Sequence, residues 1–377
     1  MQINKTDMHA HLGVIDELYL SLSDVFKGKG VPTEKIRKTI ADFVHHKIAP
    51  NLSKAARPRV HSNEPVEFSS LLSYVEEENI QNIAVLCDDV SSLAKATIEL
   101  ADRGRTALPF LWVRHPSQLP DPVPSWLSGL KLHPFLDRFR VNKEELSPVI
   151  SALQKMDEED RKGFSLLFHS EDQEIDISRA DGFAEVAEAV KPLGVNIVIG
   201  HAGGFAPPSV CPQTPFDKEH PEIVQEFSHT ISTLVQEKIA LARNMENVYM
   251  DISCIAHPDK RGLLIEATQD PLTRKKIFFG SDFPLLINEP EYHRQFGTLS
   301  SQESLFYPHI GEEGIQDMHS NVAVIKKPLA ASIEALKASL QILHQRSLNR
   351  PFHPLAREVV EYARQIDSNV LSTNKNV

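Results

Sequence analysis

Polar and apolar side chains alternate through the stretch TDMHAHLG, residues 6–13. In an extended strand, a period of two places His9 and His11 on one face and the apolar residues between them on the other. Two neutral imidazoles on one face can supply half of the ligands of a zinc-type site. A His-x-His pair alone is also typical of an ordinary surface strand, so its interpretation depends on the rest of the chain.

Composition limits the classes of protein to which this chain can belong. The chain has 377 residues, 41% of them hydrophobic, a net charge of -11 and a pI near 5.9. Because its basic residues are dispersed among acidic ones, we expect a small-molecule substrate as partner, with no nucleic acid and no membrane, and a homodimer is left open. Its three cysteines are far apart, and neither a leader nor an apolar run of membrane-spanning length is evident, so a cytoplasmic location is expected.

Short β-rich runs alternate with segments of helical periodicity along most of the chain. Many of these runs are almost wholly apolar, which is typical of parallel strands covered on both faces. The pattern predicts an α/β fold, a (β/α)8 TIM barrel forming a single domain over residues 1–377. The predicted strands span residues 3–11, 82–87, 107–114, 129–133, 164–169, 196–201, 248–252 and 276–284.

Additions to the barrel are predicted at three places. An insertion at about residues 14–65 follows strand one, and a proline-rich loop at 205–216 follows strand six. Long loops at the carboxyl ends of barrel strands are usually functional, so both are expected over the mouth of the barrel. A helical C-terminal extension is predicted at about 288–367. The helices predicted earlier in the chain span residues 65–78, 91–103 (with Ser91 or Ser92 as cap), 143–156, 182–190 and 221–243.

Imidazoles and a carboxylate recur at the C-terminal ends of the predicted strands, where TIM barrels carry their chemistry. In the fourth strand, Lys131 and His133 would face away from the helices, unless they merely occupy a solvent-exposed strand end. The clustering favours a metal site over an ordinary surface strand at residues 6–13. The residues that share this position are His9, His11, His133, His169, His201 and Asp282.

These motifs resemble those of the amidohydrolase superfamily, most closely its amidohydrolase-related branch of lactonases, other hydrolases and non-oxidative decarboxylases. The resemblance covers the barrel from end to end, but it does not extend to residues 288–377 or to the excursion between Leu12 and Pro65. Substrate choice is expected to lie in those two parts. The motifs that carry the resemblance are DMHAH at 7–11, KLHP at 131–134, FH at 168–169, GHAGG at 200–204 and GSDFP at 280–284.

The resemblance implies one divalent metal ion held by His9, His11, His169 and Asp282. Zn²⁺ is the first candidate for this ion and Mn²⁺ the second. Asp282 would also hold the attacking water and take its proton, and His201 would lie beside the metal as a second catalytic residue. Imidazole and carboxylate ligands with an open position suit a catalytic zinc. Lys131 stands where some branches carry a carboxylated lysine that bridges two metals, but its Lys-Leu-His-Pro context favours a single metal.

The function predicted from this resemblance is hydrolysis of a small lactone, amide or ester by a metal-activated water. The alternative is a lyase, a non-oxidative decarboxylase of a small unsaturated or aromatic carboxylate that uses the same metal site and an arginine clamp. A catalytically inactive metal-binding barrel is a third hypothesis, and the intact ligand set argues against it. Substrate contacts are predicted for Lys131, His133, Arg114 and Arg138.

Overall fold

The computed structural model describes residues 4–12, 67–134, 137, 139–170, 179–203, 221–253, 255, 258–283 and 298–347. Within these residues, eight parallel strands pair with one another in chain order, from β1 to β8. Each lies within or overlaps a strand predicted from the sequence, but β8 is much shorter than the predicted 276–284. The strands are β1 (Lys5–His11), β2 (Ile80–Cys87), β3 (Thr106–Val113), β4 (Gly129–Leu132), β5 (Ser165–Phe168), β6 (Asn196–Ile199), β7 (Val248–Asp251) and β8 (Ile277–Phe278).

The barrel closes where the chain beyond β8 returns to β1. The backbone N–H of Met8 donates to the carbonyl of Phe279 over 2.9 Å. The N–H of Asp282 donates to the carbonyl of His9 over 2.7 Å. The described strands therefore form a (β/α)8 TIM barrel, which confirms the predicted fold class. The same closure brings Asp282 beside the imidazoles of β1.

Helices cover the outside of the barrel, and several of them pack an apolar stripe on the strands. In α2, for example, Leu93 and Leu100 are buried at helical spacing. None of the described helices combines the length and the apolarity that crossing a membrane requires. The helices are α1 (Phe68–Glu77), α2 (Val90–Asp102), α3 (Ser147–Lys155), α4 (Glu158–Arg161), α5 (Ala180–Val190), α6 (Pro221–Asn244), α7 (Pro258–Gln269), α8 (Pro271–Arg274), α9 (Leu299–Ser320) and α10 (Ala330–Ser347).

Strand side chains divide between two apolar layers, as the alternation along a strand requires. Phe110, Leu167 and Val198 fill the barrel interior. Phe168, the neighbour of Leu167, packs outward in the layer beneath the helices. Burying a side chain of this size contributes about 1.5–3 kcal/mol. His169 follows directly after β5 at the next inward-facing position, so it lies just beyond the packed apolar layer.

The segment after α9 closes the N-terminal end of the barrel. Val322 and Ile325 belong to the interior apolar cluster. The N–H of Lys326 donates to the carbonyl of Gly163, just before β5, over 2.8 Å. We call residues 321–326 the barrel plug. The plug therefore packs against the apolar interior from the N-terminal end of the barrel.

One predicted helix cap is wrong, and one helix was missed. The cap of α2 is Asp89 and not Ser91 or Ser92, because the Asp89 carboxylate accepts from the N–H of Ser92 over 2.7 Å. A carboxylate is well placed there, since it also interacts with the positive end of the helix dipole. The helix α7 was not predicted, because its sequence shows no clear one-sided apolar stripe.

The predicted additions to the barrel are described only in part. The insertion at 14–65 and the loop at 205–216 lie outside the described residues, so their place over the mouth stays a prediction. The helices α9 and α10 fall within the predicted helical extension at 288–367. The assignment of the whole chain to a single domain also stays a prediction.

Candidate metal centre

Strand β1 supplies two imidazoles, and a bulge decides which of its other residues face inward. The register of β1 against β2 shifts between Asp7 and Ala10. As a result, Met8 joins the interior apolar cluster while Ala10 packs outward. His9 and His11 still share a face, with ring centroids 5.3 Å apart. The strict period of two predicted over residues 6–13 is therefore wrong, although the placement of its two imidazoles holds.

Three buried side chains from the ends of three strands form a cluster that could hold a metal ion. They are His9, His201 and Asp282, and their ligand atoms all lie within 4.8 Å of one another. Nε2 of His9 lies 3.4 Å from Oδ1 of Asp282, and Nε2 of His11 lies 3.2 Å from the same oxygen. Two ligand atoms of a tetrahedral zinc lie about 3.3 Å apart. The spacing and the donor types therefore fit a divalent ion.

Two further histidines adjoin this cluster. Nδ1 of His169 lies 2.9 Å from Nε2 of His201. The rings of His133 and His169 are stacked, with centroids 3.8 Å apart. His169, the ligand implied by the family resemblance, thus contacts the cluster through His201. The cluster itself contains His201, which the resemblance implied to be catalytic, so the division of roles between these two residues stays a prediction.

Lys131 lies in the barrel interior beside the cluster. Its Nζ is 3.1 Å from Nε2 of His9. Lys131 is 0% exposed and His133 is 2% exposed, so the alternative of a solvent-exposed strand end is wrong for both. A buried amine needs polar neighbours, and here the imidazoles of the cluster provide them.

A second carboxylate, Asp251, lies behind the imidazoles. Its Oδ2 is 3.0 Å from Nδ1 of His9. Its Oδ1 accepts hydrogen bonds from the backbone N–H groups of His201 and Ser253. Burial by itself raises the pKa of Asp251, but the neighbouring His9 lowers it below its ordinary value. A carboxylate on the far ring nitrogen orients a metal-binding imidazole and makes it more basic.

Asp251 lies in the seventh predicted strand, residues 248–252, and the sequence analysis assigned it no role. Its position in the strand was the available signal. Asp251 is the last residue of β7, and the other site residues His169 and His201 likewise lie at or just beyond the ends of β5 and β6. Ser253 follows two residues later in a loop, where no motif distinguishes it. It contacts His9 in β1 and His201 just beyond β6, both of which lie far away in the chain.

Asp7, in β1, forms hydrogen bonds to the segment that follows β8 and so helps to close the barrel. Its carboxylate accepts from the N–H of Ser281 over 2.9 Å, from the hydroxyl of Ser281 over 2.6 Å and from the hydroxyl of Tyr74 over 2.9 Å. Burial raises the pKa of Asp7 to about 6, although these hydrogen bonds act in the opposite direction. Since Ser281 precedes Asp282, Asp7 holds the backbone of a candidate ligand against β1.

The backbone is strained at two members of the cluster. His201 has φ 54° and Asp282 has φ 59°, both in the left-handed region. Non-glycine residues held there cost on the order of 1–3 kcal/mol each and concentrate at functional sites. Gly280 is also required, because a Cβ at this position would lie 2.9 Å from the Cβ of His9.

Burial keeps the imidazoles of His11, His133, His169 and His201 in their neutral form. It is the largest cause that lowers the pKa of His11, which falls to about 4. Burial likewise holds the pKa values of His133, His169 and His201 well below their usual range. Burial raises the pKa of Asp282, but the neighbouring His9 and His11 lower it well below its ordinary value. Neutral imidazoles and an ionised carboxylate are the states in which these groups bind a metal.

Arg114 lies at the edge of the site, and the Trp112 ring separates it from the imidazole of His133. Its Cζ is 4.0 Å from the centre of the Trp112 ring, and its Nη2 is 2.7 Å from Oδ2 of Asp88. The Arg114 side chain is 24% exposed. The Trp112 ring in turn lies 6.0 Å from the ring of His133 in a stacked arrangement. Arg138, the other predicted substrate arginine, lies outside the described residues.

Comparisons with known proteins do not assign the chain to a family. No protein-family model matches the chain, and no curated protein matches it. Among solved structures, an uncharacterized TIM-barrel protein from Bordetella bronchiseptica is similar at 10% identity and TM-score 0.40, over 84% of this chain and 99% of that one. The apo IDCase of Metarhizium anisopliae is similar at 13% identity and TM-score 0.37, over 85% and 96%.

A third similar structure is an apo protein of Agrobacterium tumefaciens, with 10% identity and TM-score 0.37 over 81% of this chain and 96% of that one. Likenesses this distant carry no argument about function. The described residues themselves define the class: a TIM barrel with a candidate metal centre at the C-terminal ends of its strands.

Proposed function

We propose that the chain is a metal-dependent hydrolase of the amidohydrolase-related type that acts on a small lactone, amide or ester. The observation that supports this most is the buried cluster of His9, His201 and Asp282, whose ligand atoms lie within 4.8 Å of one another. The cluster lies at the end of the barrel where TIM-barrel enzymes carry their active sites. Burying so many polar groups costs stability, and a catalytic role explains why they are kept.

The cluster would hold one divalent ion, with Zn²⁺ the first candidate and Mn²⁺ the second. His9, His201 and Asp282 are the candidate ligands, and His11 and His169 lie within hydrogen-bonding distance of this set. When bound, such an ion acts as a Lewis acid and lowers the pKa of water to about 7. The donor set of imidazoles and a carboxylate matches that of catalytic zinc sites.

The residues of the chain would then perform the proton transfers and hold the substrate. Asp282 is the proposed base that takes the proton of the attacking water, because it is the carboxylate within the cluster. Lys131 and His133 face the same interior and are proposed to contact the oxygen atoms of the substrate. The buried surroundings of the site exclude bulk water, which strengthens every electrostatic interaction within it.

Decarboxylation of a planar carboxylate is the second candidate function, and Arg114 is the observation that favours it. Its guanidinium stacks on Trp112, and the rings of Trp112 and His133 lie nearly parallel, at 20°. A flat acid bound along this row would have its carboxylate near a guanidinium, which binds such groups in a bidentate manner. Arg114→Gln would then raise KM for the acid more than it lowers kcat.

A substrate screen tests the proposal. Zinc-loaded and chelator-treated protein would be offered lactones, amides, esters and aromatic or enoic carboxylates, with acid release and CO₂ release measured separately. We expect acid release that is lost on chelation and recovered when zinc or manganese is restored. CO₂ release would support the second candidate. Full activity of metal-free protein would contradict both.

A further inference from the structure

A buried serine, Ser253, lies between a carboxylate and two imidazoles of the candidate metal centre. Its Oγ is 2.9 Å from Nδ1 of His201 and 3.2 Å from Nδ1 of His9. The same oxygen makes a short hydrogen bond with Oδ1 of Asp251. A hydroxyl group has one proton to donate, so only one of these three contacts can use it.

The backbone determines which contact receives the serine proton. Oδ1 of Asp251 lies 3.2 Å from the backbone nitrogen of His201 and 3.1 Å from that of Ser253. Backbone N–H groups can only donate, so both direct their protons at Oδ1 and make it an acceptor. The short contact between Oδ1 and the serine Oγ therefore takes the hydroxyl proton.

Nδ1 of His201 must then be the donor in its contact with Ser253, because the serine oxygen has only lone pairs left to offer. We propose that Ser253 is a positioning residue that keeps a proton on Nδ1 of His201 and directs the Nε2 lone pair into the metal cluster. In a neutral imidazole, one ring nitrogen donates and the other accepts. Asp251 has the matching role for His9, since its Oδ2 is 3.0 Å from Nδ1 of that ring.

This proton position restricts what His201 can do. With its proton on Nδ1, His201 offers at Nε2 a lone pair that can bind a metal or accept a proton, and it does not donate a hydrogen bond to a substrate there. His169 lies 2.9 Å from that nitrogen, through its Nδ1, and can donate to it in the metal-free protein. The consequence for metal affinity rests on the proposed function, whereas the position of the proton does not.

Two-bond ¹H–¹⁵N correlation spectra of the metal-free, full-length protein test the proposal. These spectra distinguish protonated from unprotonated ring nitrogens, and a His201→Asn sample identifies the signals of His201. We expect the wild type to show a protonated Nδ1 and an unprotonated Nε2 on neutral His201. Ser253→Ala should lose this fixed preference, and its zinc affinity should fall by about 10- to 100-fold.

Ser165→Ala is the matched control. Ser165 is also a buried serine, and its Oγ donates to the carbonyl of Gly163 over 3.2 Å at the opposite end of the barrel. This control should keep the wild-type spectrum and zinc affinity. The proposal is overturned if wild-type His201 carries its proton on Nε2, or if folded Ser253→Ala keeps the wild-type spectrum. A failed substrate screen with the expected wild-type spectrum would contradict only the proposed function.

Discussion

The two ends of the barrel are built from different chemistry. At the N-terminal end, the barrel plug at residues 321–326 contributes Val322 and Ile325 to the interior apolar cluster. At the C-terminal end, the interior positions hold imidazoles and carboxylates, and two of those residues, His201 and Asp282, have left-handed backbones. The N-terminal end thus gains stability by apolar burial, while the C-terminal end retains strained and polar groups.

The difference indicates where stability and function separate in this molecule. Each strained residue costs on the order of 1–3 kcal/mol. The apolar layers offset this, since each large side chain that they bury contributes about 1.5–3 kcal/mol. Substitutions at the C-terminal end should therefore affect metal binding and turnover, and those in the barrel plug should affect folding.

Asp282 should show the largest effect. Asp282→Asn keeps an oxygen beside His9 and His11 but removes the charge and the proton acceptor, so turnover should fall by more than about 10³-fold. The melting temperature should fall as well, because, despite its burial, the imidazoles that hold the pKa of Asp282 low stabilise its ionised form in the folded protein. Steady-state kinetics on a substrate found by the screen, with thermal melts in parallel, measure both. Turnover near the wild-type value would remove Asp282 from the mechanism.

His201 and His169 should differ in metal affinity. The cluster contains His201, so His201→Asn should weaken zinc binding by about 10²-fold, and His169→Asn should weaken it less. Competition with a fluorescent zinc chelator gives both affinities on the same scale. The opposite order would return the ligand role to His169, as the family resemblance implies, and leave His201 as the catalytic residue.

Ile325→Ala in the barrel plug should lower stability and leave zinc binding almost unchanged. Ile325 is 3% exposed within the interior apolar cluster, so truncation should lower the free energy of unfolding by about 2–4 kcal/mol. Zinc affinity and turnover of the folded protein should stay within about threefold of wild type. Chemical denaturation and zinc titration are the measurements. A large loss of zinc affinity would show that the two ends are coupled.

Ser281→Ala should have the smallest effect, and it should lower both the stability of the fold and the zinc affinity. Its hydroxyl donates to Oδ2 of Asp7 over 2.6 Å, and removing it should cost about 1–2 kcal/mol of stability. Zinc affinity should fall by less than about tenfold, because Asp282 keeps its backbone bond to His9. Denaturation and zinc titration of the same sample test this. An effect on zinc affinity as large as that of Asp282→Asn would mean that Asp7 controls the site.

Much of the barrel could be predicted from the sequence, because parallel strands covered on both faces are nearly continuous apolar runs. The same pattern predicted His169 and His201 as the last residues of strands five and six, and the structure places them just beyond the ends of β5 and β6. The bulge in β1 could not be predicted, since it arises from pairing with β2 and leaves no mark in the alternation of residues 6–13.

Other parts of the site depend on contacts between residues distant in the chain. Tyr74 reaches Asp7 from the helix α1, and Ser253 reaches two imidazoles from the loop after β7. Neither residue belongs to a motif, so only the folded chain reveals them. Asp251 was detectable by its place at the end of β7, but a lone carboxylate there does not indicate whether it binds a metal or orients a ligand.

Zinc titration of the metal-free, full-length protein tests the central claim most directly. Isothermal titration calorimetry would compare the wild type with Asp282→Asn at the C-terminal end and Ile325→Ala in the barrel plug. We predict about one zinc ion per wild-type chain, an affinity at least about 10²-fold weaker for Asp282→Asn, and a near wild-type affinity for Ile325→Ala. Equal zinc affinity in the wild type and Asp282→Asn would contradict a metal centre at the C-terminal end of the barrel.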